Sequence, residues 1–91
     1  MNYLRIEKEE LPMIPLRKIE SRELQVERKL HTKLREAVIL GNTFKLKCIL
    51  RIQTEDGVGV VNTTLWYASD DHICLKGGVT IPITCILDVQ I

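Results

Sequence analysis

The chain has 91 residues, of which 45% are apolar, 27% charged and 4% aromatic, and 13 Lys and Arg nearly balance 12 Asp and Glu to leave a formal net charge of +1. Such a chain makes one domain, is too apolar for wholesale disorder, and has no run of the ~18–20 apolar residues that would span a bilayer. Its near-zero net charge gives no global field to draw in nucleic acid or anionic lipid. The charge is uneven, however: residues 1–47 carry 11 basic and 7 acidic side chains, whereas residues 48–91 carry 2 and 5. That shift predicts a charged arm and helix first and a charge-poor sheet second within the single domain 1–91.

Residues 1–20 read as an extended arm. Leu4 and Ile6 alternate with charges, and Pro12 and Pro15 bracket Met13 and Ile14. Prolines three apart break both helix and central strand. An apolar arm of this kind lies on its own domain or on a neighbouring subunit. Residues 21–40 read as a helix, with Ser21 as N-cap and Glu23 at the positive end of the dipole. Val26, Leu30, Leu34, Ala37 and Val38 form its apolar stripe, and Gly41-Asn42 reads as the stop. At 1.5 Å per residue such a helix is roughly 30 Å long, which hints at a second subunit.

Residues 44–91 read as antiparallel β-sheet. Phe44 to Thr54 alternates, with Phe44, Leu46, Cys48, Leu50 and Ile52 on one face and Lys45, Lys47, Ile49, Arg51 and Gln53 on the other. Asp56-Gly57 is a hairpin signal. Val58 to Ala68, His72 to Lys76, Val79 to Ile83 and Ile86 to Ile91 supply four more strands, with turns at 69–71 and at Gly77-Gly78. A two-residue turn at Asp56-Gly57 pairs Ile52 with Val61, Leu50 with Thr63 and Cys48 with Leu65. A three-residue turn at 69–71 then pairs Leu65 with Leu75 and Tyr67 with Ile73. The predicted fold is α+β: a long N-terminal helix followed by a strongly bent antiparallel five-stranded sheet or small barrel.

The same register sets Lys47 and Cys74 on either flank of Trp66, and Arg51 beside Asn62, with Lys45, His72 and Lys76 nearby. A basic stripe around the only tryptophan suits nucleic acid, because cations hold phosphates and the indole offers a stacking platform. The candidate nucleic-acid-binding residues are therefore Lys45, Lys47, Arg51, Trp66 and Lys76. Two plainer accounts stand beside this one: Lys47 lays its stem on Trp66 as a cation–π pair, or the helix covers the face.

Other constellations are weaker. His72 and Cys74 point the same way from one strand, but the register puts Cys48 on the core face, and no CxxC or HxxxH spacing exists. Three cysteines, an odd number at wide spacing, read as free thiols in a reducing setting rather than as a disulfide framework. Asp70-Asp71-His72 reads as turn chemistry, and Gly77-Gly78 lacks the pattern of a phosphate loop. No catalytic residue, metal, cofactor or small-molecule substrate is expected. The N-terminal segment has neither an apolar signal core nor the acid-poor composition of a transit peptide, so the expected location is the cytoplasm.

Helix, Gly-Asn and then short strands on tight turns resembles the order of Sm-like or SH3-type small barrels, over about residues 21–91. LKGGVTIPITCILDVQI carries the resemblance best, with Ile81-Pro82-Ile83 turning the corner and Ile86 to Ile91 as the closing strand. The resemblance implies an oligomeric RNA-binding barrel. This chain departs from the pattern in the second strand, where Val61-Asn62-Thr63-Thr64 replaces the usual glycine. It departs again where Thr84-Cys85 stands in place of the Lys-His pair of the bacterial RNA chaperone, and where Asp70 to Cys74 offers acids but no Asn. The stretch TTLWYASDDHICLKGGVTIPI is also similar to small uncharacterised bacterial proteins. The function expected is a non-catalytic binding or structural module acting through self-association, with a homodimer as the assembly and the arm or last strand at its interface. The alternative is an Sm-like barrel that binds single-stranded RNA.

Overall fold

Among the described residues, one long helix and seven short strands follow one another: β1 (Leu4–Arg5), α1 (Leu24–Phe44), β2 (Cys48–Thr54), β3 (Gly57–Thr63), β4 (Leu65–Ala68), β5 (His72–Leu75), β6 (Thr80–Pro82) and β7 (Ile86–Gln90). This computed structural model describes residues 3–91; Met1 and Asn2, part of the predicted arm, lie outside the described residues. The α+β class and the single long helix match the sequence expectation. The strands form a four-stranded sheet in the order β1-β3-β2-β7 and a three-stranded sheet in the order β4-β5-β6, neither closed into a barrel. Among the described residues no helix is long and apolar enough to cross a membrane.

The division into two sheets comes from one break. The predicted strand Val58 to Ala68 is interrupted at Thr64, which separates β3 from β4. No glycine makes that bend. Instead Gly41, in the helix, lets α1 press against it: a Cβ on Gly41 would lie 2.7 Å from Leu65 O and 2.9 Å from Thr64 Cγ2. The expected stop at Gly41-Asn42 is thereby corrected, because the glycine serves close approach rather than capping. The helix continues through it to Phe44 and ends on Lys45, in the left-handed conformation at φ 56°, whose N–H donates to Leu40 O. Phe44 is thus the last helical residue and not the first of a strand.

At the other end α1 starts at Leu24, and Glu23, not Ser21, occupies the N-cap position without a side-chain bond. Leu30, Leu34, Ala37 and Gly41 form the buried face. Val26, predicted for that stripe, is exposed, because the helix overhangs the core by about one turn.

The first hairpin keeps its faces but shifts by two residues. Cys48 pairs with Thr63, Leu50 with Val61, Ile52 with Gly59 and Thr54 with Gly57, so Arg51 faces Val60 rather than Asn62. The turn is Glu55-Asp56, and the positive φ falls on the residue after it, Gly57 at 131°. The primed turn expected at Asp56-Gly57 needs positive φ at both central residues, and Asp56 does not have it. Thr54 fixes the alternative, its Oγ1 donating to Gly57 O at 2.7 Å and accepting from Asp56 N at 3.2 Å. An even shift leaves every side chain on its expected face, so the core of Leu50, Ile52 and Val61 is the same in either register.

The arm lies on its own domain. Leu4 and Arg5 add to β3 as a parallel strand, and Ile6 N donates to Val60 O at 2.9 Å. Ile6 is buried over Gly59, where a Cβ would come within 2.3 Å of Ile6 Cδ1. Further along, Leu16 bridges Thr54, and the Arg17 N–H donates to Gln53 O. Pro82 ends β6, and a short 3-10 turn over Ile83–Cys85 carries the chain into β7, which returns to pair with β2.

Candidate nucleic-acid interface

Three separated stretches of sequence build one cleft beside the C-terminal end of α1. Its lining is Gly41, Asn42, Lys45, Thr64, Trp66 and Lys76. The last turn of α1 supplies Asn42, whose Nδ2 donates to Trp66 O at 3.2 Å, and so ties the helix to β4. The turn after β5 supplies Lys76, whose backbone N–H donates to Thr64 O at 2.9 Å. That turn needs the positive φ of Gly77 (97°) and Gly78 (90°), conformations that L side chains rarely adopt.

Trp66 owes its exposure to a bulge. Leu65 pairs with Leu75 as the sequence predicts, but Tyr67 pairs with Cys74 and Ala68 with Ile73, so Trp66 has no partner across the ladder. The expected pairings of Tyr67 with Ile73 and of Cys74 beside Trp66 are both corrected. A bulge inserts an extra residue and re-aims side chains locally. Here Leu65 is fully buried, while Trp66 and Tyr67 both face water, Trp66 with 47% of its surface exposed. The helix runs alongside without covering the indole.

The five candidate residues do not form one stripe. Lys45, Trp66 and Lys76 share the cleft. Lys47 lies instead in a groove with Tyr3, Arg5, Ile6, Glu7, Ile49, Val60 and Asn62. The only cation–π contact among the described residues is Arg51 over Tyr3, 5.7 Å from the ring centroid, so the Lys47–Trp66 stack is not present. Arg51 has its charge engaged by Asp88 at 3.2 Å, and Asp88 also meets Lys33 at 3.7 Å. Among the described residues Lys45, Lys47 and Lys76 have no carboxylate within 4.0 Å. The cleft lining contains no acid either.

Sequence reasoning missed Tyr3, Arg5 and Asn42. The signal for Tyr3 and Arg5 was the alternation around Leu4 and Ile6, which puts Tyr3 and Arg5 on the opposite face from the arm's neighbours in a strand.

Ser69, Asp71 and His72 do meet. His72 Nδ1 lies 2.6 Å from Asp71 Oδ1 and 3.0 Å from Ser69 Oγ. Both contacts use the same ring nitrogen, whereas a nucleophile–base–acid relay needs one partner on each nitrogen. Ser69 Oγ also accepts from His72 N at 3.1 Å, the mark of a side chain closing a turn. Asp71 is held below its ordinary value of 3.8, first by the Ser69 hydroxyl and then by His72. A depressed carboxyl stabilises the turn above its unfolded pKa, and that contribution is lost as pH falls through the folded value. An NMR titration of the Asp71 carboxyl is therefore expected to give a midpoint below 3.8, rising toward 3.8 in Ser69→Ala. A wild-type midpoint at or above 3.8 contradicts the network.

The three cysteines are free, Cys48 and Cys85 buried and Cys74 half-buried. Burial pushes the Cys48 thiol up to about 11. Among the described residues no group of three His, Cys, Asp or Glu is placed to hold a metal ion. No family model, no curated protein and no solved structure matches the chain.

Proposed function

We propose that the protein is a non-catalytic binding module for single-stranded nucleic acid, engaged through the Lys45–Trp66–Lys76 cleft. The observation that carries this reading is a half-exposed indole sharing a cleft with two lysines that have no carboxylate partner among the described residues. A planar ring binds a base by stacking whatever its sequence, and ammonium groups bind the phosphates on either side. The strand order supports a small-barrel reading of the Sm-like or SH3 type. β7 returns to β2, and β3 leads through the Thr64 bend into β4, β5 and β6. The test is a titration of fluorescent single-stranded RNA over a salt series. Two phosphate contacts on a single strand predict a slope of log K against log salt of about −1.4. No affinity at low salt ends the proposal.

Self-association is a second reading, favoured by the outer surface of α1. Leu24 and Ile39 stand in water there, and Val26 is exposed where the core-facing stripe overhangs the sheets, on a helix that also carries Glu27, Arg28, Lys33, Arg35 and Glu36. Both charge signs on one apolar-flecked helix suit pairing with a second copy. Light scattering at high micromolar concentration is expected to give twice 10.5 kDa, and a mass of 10.5 kDa removes the dimer.

A further inference from the structure

The turn between β5 and β6 brings Lys76 to the Trp66 cleft, and a further amine reaches that turn from the arm. A Cβ built on Gly77 would lie 3.9 Å from Lys8 Nζ, so the Lys8 ammonium sits against the residue that follows Lys76. Consecutive residues are about 3.8 Å apart, so Lys8 and Lys76 bring two positive charges to one turn. Both sides of this contact are fixed. On the turn, Gly78 N–H donates to Leu75 O and Lys76 N–H to Thr64 O, each at 2.9 Å. On the arm, Lys8 opens the 3-10 segment Lys8–Met13, with Ile6 buried before it and Leu11 buried within it. Lys8 itself is half-buried.

No acid accounts for the position of this amine. Among the described residues no carboxylate lies within 4.0 Å of Lys8 Nζ. Two acids of the arm are engaged elsewhere: Glu7 meets Arg5 at 3.8 Å, and Glu10 accepts from the Glu7 N–H at 3.2 Å. We propose that Lys8 is a third phosphate contact of the Trp66 cleft, so that the N-terminal arm completes the nucleic-acid site as well as packing on β3. This rests on the nucleic-acid reading of the cleft and extends it. With a base on the indole, Lys45 and Lys76 hold the phosphates nearest to it, and Lys8 takes the next one beyond Lys76. An ammonium on a flexible stem binds phosphate as a point charge and needs no set geometry. Each phosphate neutralised on a single strand adds about 0.7 to the salt slope, so the third contact steepens the expected value from about −1.4 to about −2.1.

The probe is fluorescein-labelled octaadenylate, titrated against the full chain between about 50 and 200 mM salt. Lys8→Met is expected to return the slope to about −1.4, weakening binding about eightfold at the lower salt and about threefold at the higher. A merely structural role would weaken binding equally at both. Lys8→Arg keeps the charge and is expected to keep the slope. Lys18→Met removes the same charge from a separate groove, which Gln53 and Leu87 also line, and is expected to change neither slope nor affinity. Lys8 and Lys18 both lie outside the buried core, and a thermal melt checks that the variants keep the fold. If Lys8→Met keeps the wild-type slope while Trp66→Ala still weakens binding, Lys8 is no contact and the cleft stands without it. If Lys18→Met flattens the slope as much as Lys8→Met, the effect belongs to net charge and the inference fails. If octaadenylate does not bind the wild type at low salt, the cleft reading fails and takes this inference with it.

Discussion

Alanine at Gly41 is expected to destabilise the protein by up to about 2 kcal/mol, where the same change in a solvent-facing helix would stabilise it. Two effects compete. Alanine has about 0.8–1.0 kcal/mol better helix propensity than glycine. Against this, the new Cβ would sit 2.7 Å from Leu65 O and 2.9 Å from Thr64 Cγ2. The oxygen belongs to backbone, and β4 cannot slide freely, because Asn42 holds Trp66 O and the Lys76 N–H holds Thr64 O. Overpacking of this kind typically costs about 1–3 kcal/mol, so the clash outweighs the propensity. Urea denaturation checks the sign. An unchanged or raised midpoint would show that α1 and β4 do not approach as closely as described. The same variant should perturb Trp66 emission, since the strand that must move carries the indole.

How much of this architecture could be read beforehand follows from what each pattern encodes. The alternation of Cys48, Leu50 and Ile52 with Ile49, Arg51 and Gln53 encodes a strand and its two faces, and both were legible. Register is set by turn geometry, and a Glu-Asp-Gly stretch accommodates two turns one residue apart, which moves the pairing by two; the choice between them goes with the Thr54 hydroxyl, a local bond to Gly57 that alternating hydrophobicity does not encode. Gly41 shows the opposite difficulty. A glycine after a helical stripe has two physical uses, as a left-handed cap or as a place for close approach. Only the position of Thr64 and Leu65 decides between them. The site suffered most from this. Two residues of register separate a continuous basic stripe from a cleft and a groove with different residues in each. Arg51, counted as a free cation from sequence, spends its charge on Asp88, whose place opposite it depends on the irregularity in the β2–β7 pairing between Arg51 and Ile52. Trp66 was legible as the residue to watch, but its exposure rests on a bulge that alternating hydrophobicity does not announce.

Trp66→Ala is expected to reduce affinity for single-stranded RNA by roughly 5- to 150-fold, the factor that corresponds to the ~1–3 kcal/mol a base–aromatic stack contributes. Stability decides whether that drop reports recognition. Truncating a core tryptophan typically costs about 3–5 kcal/mol. Trp66 has no cross-strand partner and is 47% exposed, while its neighbour Leu65 is fully buried and holds β4 to the core. Its removal should therefore cost about 1–2 kcal/mol, well short of the loss at a core site. Charge reversal at Lys45 or Lys76 should act differently. It should flatten the salt slope by about 0.7 for each phosphate that is no longer neutralised, with the indole still stacked. A Trp66→Ala variant that unfolds several kcal/mol earlier would place the ring in the packing and not in recognition. One that keeps its stability and also its RNA affinity would empty the cleft of function, and self-association through α1 would then be the reading that remains.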